Sequence, residues 1–238
     1  MTIYAISDLH LPGADHKPME IFGSHWADHF TRIAADWREK VTPEDVVLLP
    51  GDISWAMYLP EALVDLRAIA ALPGRKVLLR GNHDFWWSSI SRLRAELPGG
   101  MYALQNDALL IDDVLICGAR GWLTPGAAGL SQEDQKIYDR EVQRLKLSLE
   151  DGTRRLANAG LSPDAVRRVA MLHYPPFADK DQPTAVTALL AAHGVEVAVY
   201  GHLHGPGLNG AFAGEMDGVR YHLVSCDGLG FRLHCLGE

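Results

Sequence analysis

The sequence is poor in cysteine, and its three cysteines form neither a disulfide framework nor a zinc motif. Cys117, Cys226 and Cys235 include no Cys-x-x-Cys pair and lie in apolar, strand-like stretches. Because an odd number of cysteines argues against full pairing, we expect buried free thiols. The fold must then be held mainly by the burial of apolar side chains.

Long apolar runs and an excess of basic residues are also missing. No run approaches the roughly 18 residues that a membrane-spanning helix needs, and the chain opens on a short apolar segment without a basic leader. The formal net charge is −8, whereas binding to duplex nucleic acid draws on many basic contacts. We therefore expect a cytoplasmic protein that binds neither membranes nor duplex nucleic acid. The sequence leaves its oligomeric state open.

Length and composition predict one soluble domain. The chain has 238 residues, of which 47% are hydrophobic, and this is enough for a single sizeable core spanning residues 1–238. Residues 121–163 contain a charged helical stretch at 131–159. This segment is either a helical cap insertion over a substrate or an outer helix with mixed charge pairs.

Five short polar clusters each follow an apolar run. They are Asp8-Leu9-His10, Gly51-Asp52, Gly81-Asn82-His83-Asp84, His173 and Gly201-His202-Leu203-His204. The preceding runs, at 3–6, 46–49, 77–79, 169–172 and 195–200, are rich in Val, Ile and Leu and typical of strands buried on both faces. Since ligands bind beyond the carboxyl ends of strands in α/β sheets, we expect the clusters to converge.

The residue types in these clusters indicate a metal site. Carboxylate, amide and imidazole groups together suit divalent Mn, Fe, Zn or Ni. Two such ions need roughly seven protein donors and one bridging carboxylate, and the clusters supply them. Taken singly, an aspartate here can be a helix N-cap and a histidine can be a core residue. The joint pattern favours a two-metal hydrolase.

In this order the clusters resemble the signature of the calcineurin-like metallophosphoesterase superfamily, from residue 3 to about residue 205. The resemblance implies an α/β fold, with two mixed sheets in a four-layer α/β/β/α sandwich. It also implies a dinuclear metal-dependent phosphohydrolase that cleaves phosphoester bonds by attack of a metal-bridging hydroxide.

The resemblance further implies a role for each motif residue. One ion would be bound by Asp8, His10 and His204, the other by Asn82, His173 and His202, with Asp52 bridging both. The catalytic pair would be His83, facing the substrate, and Asp84, orienting its ring. We expect manganese, with iron, zinc or nickel as alternatives.

The motif variants narrow the substrate class. Protein Ser/Thr phosphatases of the superfamily usually show GDxVDRG and GNHE, and UDP-diacylglucosamine pyrophosphatases usually carry Arg in place of His83. The set is more similar to cyclic-nucleotide phosphodiesterases and uncharacterised bacterial phosphohydrolases. We expect a small phosphodiester or nucleotide as substrate. The alternatives are a phosphomonoesterase, a nucleotide-sugar or lipid pyrophosphatase, a non-phosphate metallohydrolase and a non-catalytic scaffold.

Overall fold

The computed structural model describes residues 1–14, 18–126, 130–179 and 182–237. In it, each of the five apolar runs overlaps a strand. The strands are β1 (Ile3–Ala5), β2 (Val46–Pro50), β3 (Arg75–Leu79), β4 (Met101–Ala103), β5 (Leu109–Ile111), β6 (Val114–Ala119), β7 (Arg167–Leu172), β8 (Val197–Tyr200), β9 (Gly214–Met216), β10 (Val219–Leu223) and β11 (His234–Gly237). The α-helices are α1 (His29–Lys40), α2 (Leu59–Ala70), α3 (Ile90–Glu96), α4 (Gln132–Ala159) and α5 (Ala185–Ala192).

The chain forms two compact units, each built on one sheet. The first unit comprises Met1–Ala103 with Val224–Glu238, and the second comprises Leu104–Leu223. Both sheets mix parallel and antiparallel strands and are accompanied by helices. The predicted α/β class with two mixed sheets is confirmed. The assignment of residues 1–238 to a single domain stays a prediction.

The sheet of the first unit has the order β11-β1-β2-β3-β4. Its strands β1 to β4 are parallel, and β11 pairs antiparallel with β1 at one edge. Helices α1 and α2 contribute Trp37 and Leu66 to its core, where both are fully buried. Trp86 and Trp87, which follow the third motif, are 1% and 5% exposed and lie in the same core.

The sheet of the second unit has the order β5-β6-β7-β8-β10-β9. Strands β6, β7, β8 and β10 are parallel, and β5 and β6 form a hairpin that turns at Asp112, whose φ is 53°. Helix α4 packs on β6, so closely that a Cβ added to Gly152 would lie 2.9 Å from Cys117 Sγ. Within 121–163, the structure thus describes a helix that packs on the sheet of the second unit. Residues 127–129 lie outside the described chain.

Local sequence signals explain where α4 begins and ends. The Asp134 amide donates to Ser131 Oγ (3.1 Å), and the Asp134 carboxylate accepts from the Ser131 amide (3.0 Å), which forms a capping box. Gly160 ends the helix with a φ of 68°. Over the described ranges, no helix combines the length and apolar character needed to cross a membrane.

Three features differ from the sequence-based expectation. Helix α5 and strand β9 were not predicted, because the run 185–192 is apolar except for Thr187 and β9 is a short edge strand. The apolar stretch at 230–235 predicts a closing strand, but the strand begins only at His234, since Phe231 has a φ of 62°, which a strand cannot contain. Cys235 is exposed near the chain end, whereas Cys117 and Cys226 are buried as expected.

Lys76 in β3 is a buried cation at the end of a helix. Its side chain is shielded from solvent, and Nζ donates to the carbonyl oxygens of Ala70 (3.2 Å) and Leu72 at the carboxyl end of α2. Burial lowers the pKa of the Lys76 amine to about 8, from an ordinary value of 10.5. The charged form is therefore destabilised by folding, despite its favourable position at the helix end.

This burial predicts a pH-dependent stability difference between the wild type and Lys76→Met. Between pH 8 and 10.5 the unfolded chain binds more protons at this amine, so wild-type stability should rise with pH. From pH 7.5 to 10 the wild type should gain about 2 kcal/mol relative to the variant. Urea unfolding of both proteins at several pH values measures this, and a pH-independent difference would contradict it.

Candidate metal centre

The first three motifs lie at one edge of the first unit's sheet. They follow β1, β2 and β3, which are adjacent and parallel, so their carboxyl ends point the same way. The residues carried there are Asp8, His10, Asp52, Asn82, His83 and Asp84. The predicted convergence of these strand ends is thus observed within this unit.

Backbone hydrogen bonds extend the pairing of β1 and β2 into the motif loops. The Asp8 amide donates to the Gly51 carbonyl oxygen, and the His10 amide donates to the Asp52 carbonyl oxygen, both at 3.0 Å. The Trp55 amide donates to the Leu11 carbonyl oxygen at 2.8 Å. Because both loops are bonded to each other, the relative positions of their side chains are fixed by the backbone.

Asp8 and Asp52 form a buried pair of carboxylates. They are 0% and 2% exposed, and their candidate ligand oxygens lie within 4.8 Å of each other. His10 Nε2 lies 3.9 Å from Asp52 Oδ2. Two like charges held this close away from water repel each other, and a divalent cation between them would offset that cost. Oxygen and imidazole donors together suit a transition-metal ion, so the residues fit the implied group.

Gly81 is required because the third motif lies against Asp52. A Cβ added to Gly81 would lie 2.8 Å from Asp52 Cγ and would overlap its Oδ1 and backbone nitrogen. The His83 amide donates to Asp52 Oδ1 at 2.8 Å. The loop that carries Asn82 and His83 therefore packs directly on the predicted bridging carboxylate.

Four predicted ligands have left-handed backbone conformations. The φ angles are 60° for Asp8, 46° for His10, 51° for Asp52 and 73° for His202. Residues other than glycine rarely adopt this region, and those that do are concentrated at functional sites. The backbone here is held in place by the surrounding hydrogen bonds.

Asp84 binds the backbone of its neighbouring loops. Its Oδ2 accepts from the amides of Asp52 (2.9 Å) and Gly81 (2.7 Å), and its Oδ1 accepts from Ile53 (2.9 Å), Ser54 (3.2 Å) and Trp86 Nε1 (3.0 Å). Burial raises the pKa of the Asp84 carboxyl, and these hydrogen bonds oppose that rise. Asp84 therefore fixes the loops after β2 and β3, and its orienting of the His83 ring stays a prediction.

Trp55 packs against two motif histidines and was missed from the sequence. Its ring stacks on that of His10 at 4.8 Å between centroids and lies 4.4 Å from the ring of His83. Its Nε1 donates to Met19 Sδ at 3.3 Å, which fixes the indole plane. An aromatic residue three positions after Asp52 was the available signal, but sequence alone does not reveal what it contacts.

The last two motifs lie at one edge of the second unit's sheet. His173 follows β7, and His202 and His204 follow β8, its parallel neighbour. The His173 ring is fully buried and lies 5.2 Å from that of His202 between centroids. The Tyr174 ring lies 4.1 Å from the ring of His202, and the Gly201 amide donates to His173 O at 3.1 Å.

Arg120 is a cation at this edge that the motif analysis overlooked. It directly follows β6, and its carbonyl oxygen accepts from the amides of His173 (3.0 Å) and Tyr174 (2.9 Å). Its guanidinium lies 3.5 Å from the buried carboxylate of Glu141 in α4 and packs over the Trp122 ring. Glu141 also pairs with Arg144 of α4 at 2.5 Å, so two guanidinium groups share this one buried anion.

The contact between Gly81 and Asp52 predicts that Gly81→Ala will weaken metal binding. The added methyl group must displace the Asp52 carboxylate, and displacing a ligand in this way typically lowers metal affinity about 10- to 100-fold. Calorimetric titration with Mn²⁺ measures the change. Gly99→Ala is the matched control, since its Cβ would meet nothing within 4 Å. Wild-type affinity in a correctly folded Gly81→Ala protein would contradict the prediction.

Comparison with known proteins gives a family for this arrangement. The calcineurin-like phosphoesterase family model matches residues 1–206. The Gene 66 protein of Mycobacterium phage D29 is 35% identical over 120 residues, covering 41% of this chain and 58% of the phage protein. A crystal structure of a protein of unknown function, AQ665 from Aquifex aeolicus, aligns over 98% of this chain and 95% of its own, with 14% identity and a TM-score of 0.47. The family match includes every motif residue described above, and the chain belongs to the calcineurin-like phosphoesterase family.

Proposed function

We propose that this protein is a metal-dependent phosphohydrolase that cleaves a small phosphodiester or nucleotide. The observation that carries the proposal is the buried pair of Asp8 and Asp52, with His10 beside them, at the carboxyl ends of adjacent parallel strands. Burying two like charges is unfavourable unless a cation binds them. Family membership supports phosphoester hydrolysis as the use of that cation.

The proposed ion binding uses the seven motif residues predicted as ligands from the sequence. Asp8, His10 and His204 would hold one divalent ion, Asn82, His173 and His202 the other, and Asp52 both. All seven proposed ligands lie within residues 1–206, which the family model matches. Manganese is the proposed ion. When bound, the two ions would lower the pKa of a water molecule and offset the negative charge of the phosphate group.

His83 is the residue proposed to act on the leaving group. It is not among the seven proposed ion ligands, and the bond from its amide to Asp52 supports a position beside the proposed ions. An imidazolium there would donate a proton to the departing oxygen, which is the usual role of a general acid. The Trp55 ring restricts the orientations open to this imidazole, because it lies against one side of it.

Charge favours a diester over a phosphoprotein or a duplex. A phosphodiester carries one negative charge and a monoester carries up to two, so the monoester demands more cationic contacts. Arg120 is held by Glu141, a carboxylate that it shares with Arg144. A net charge of −8 repels a polyanion at moderate salt.

The function is tested by comparing kcat/KM for several substrates in the presence of Mn²⁺, Ni²⁺, Zn²⁺, Mg²⁺ or Fe²⁺. The substrates are bis-p-nitrophenyl phosphate, p-nitrophenyl phosphate, cyclic mononucleotides and a phosphopeptide. We expect a diester to be the best substrate and two ions per active chain. In the variant Asp52→Asn, kcat/KM should fall at least about a hundredfold and both ions should bind more weakly, because the substitution removes the negative charge that the two ions are proposed to share.

The outcomes separate the parts of this proposal. A monoester or phosphopeptide preferred by tenfold or more would overturn the diester preference and leave the metal centre standing. Saturation at one ion per chain in active protein would contradict the dinuclear site. Absence of hydrolysis with every substrate and ion, in protein that binds metal, would favour a non-catalytic member of the family.

His83→Ala should slow hydrolysis mainly for substrates with poor leaving groups. We expect a loss of roughly a hundredfold for alkyl or nucleoside esters and a smaller loss for p-nitrophenyl esters, which need less protonation. Metal content should be unchanged. Trp55→Ala should show the same pattern more weakly, and Trp55→Phe should restore most of the activity. Equal losses on both substrate types, or loss of an ion, would refute the role of His83.

A further inference from the structure

We propose that the second unit contains a separate binding site for a small apolar monocarboxylate. A cavity of about 190 Å³ lies between the second half of α4, the segment after it, and the starts of β6, β7 and β8. Most of its lining is aliphatic, including Leu115, Leu149, Leu156, Leu161, Val169 and Val195. The inference is independent of the proposed phosphohydrolase function.

The size of the cavity indicates a ligand and not a packing defect. Protein interiors pack with few voids larger than a water molecule. An apolar cavity of about 150 Å³ already accommodates a benzene ring. Cys117 adds no charge, since burial raises the pKa of its thiol to about 12. The cavity therefore suits an apolar group of about six carbon atoms.

Arg168 gives the cavity a positive charge. Its Nη1 donates to the His193 carbonyl oxygen at 3.1 Å, and its buried Nε has no hydrogen-bond partner. The guanidinium lies flat against Gly194, where a Cβ would come within 2.7 Å of Arg168 Cζ. In the described ranges no carboxylate forms an ion pair with this guanidinium, and the Glu196 carboxylate accepts from the Arg168 backbone amide. A ligand carboxylate in the cavity would pair with the Arg168 guanidinium, because guanidinium and carboxylate match in geometry.

The cavity lies at the end of the sheet opposite the motif histidines. Leu115 and Val169 are near the starts of β6 and β7, and Val195 precedes β8. His173 and His202 instead follow the carboxyl ends of β7 and β8. The site is thus distinct from the candidate metal centre within this unit.

Isothermal titration calorimetry with hexanoate tests the site directly. We expect millimolar binding of hexanoate, at least tenfold weaker binding of hexanol, which lacks the charge, and no measurable binding of acetate, which lacks the apolar chain. Arg168→Met should reduce hexanoate affinity at least tenfold and leave hexanol binding unchanged. Arg167→Met is the matched control, as its side chain does not line the cavity.

Further variants remove the remaining ambiguities. Ala157→Leu should abolish binding of both hexanoate and hexanol, because it fills the cavity. Asp52→Asn should bind hexanoate normally, which shows that the carboxylate is not bound at the metal centre. If Arg168→Met does not fold, Arg168→Lys, which keeps the charge but loses the paired donors, should bind several-fold more weakly. Unchanged hexanoate binding in the Arg168 variants or in Ala157→Leu, or no binding to the wild type, would overturn the proposal.

Discussion

The buried carboxylate of Asp84 is the constraint on which the geometry of the first unit's motifs depends. Two oxygens with no solvent contact bond to four backbone amides and one indole, and these donors come from the loops after β2 and β3. Without such an anion the amides of residues 52–54 would be buried without acceptors, which is costly. The backbone of Asp52 is held in its left-handed conformation as a result, and Gly81 is held against it.

Negative charge is concentrated at this edge well beyond the predicted ligands. Asp65 in α2 is also buried, and its Oδ2 accepts from Ser54 Oγ (2.5 Å) and the Gly13 amide (2.7 Å), so it joins the loops after β1 and β2. Two aspartates thus fix the loops, while Asp8 and Asp52 offer oxygens to an ion. Asp8 and Asp52 each accept one such bond as well, from Ser7 Oγ and from the His83 amide, and Asp52 also lies beside the His10 imidazole.

The sequence predicted the strands and the motif positions well because both depend on local pattern. Runs such as 46–49 are apolar at every position, which is typical of strands buried on both faces, and the motifs follow directly. The charged helical stretch predicted at 131–159 likewise matches α4, which begins after the capping box at Ser131. The helix at 185–192 could not be recognised, since a short run with only one polar residue, Thr187, shows no helical period.

Non-local contacts could not be predicted in the same way. The packing of Trp55 on His10 and His83, and the pairing of Arg120 with Glu141, join residues whose relation appears only in the folded chain. The backbone contacts of Asp84 are missed for a related reason. Its oxygens accept from backbone amides, which every residue type except proline carries, so the sequence contains no distinguishing signal.

The left-handed conformations of Asp8, His10, Asp52 and His202 tie protein abundance to metal supply. Each such residue costs about 1 to 3 kcal/mol in backbone energy, and a ligand that binds only the folded chain offsets this by mass action. It follows from the proposed ion binding that the metal-depleted protein is the less stable form. Because unfolded chains are degraded in cells, metal starvation would then reduce the amount of this protein as well as its activity.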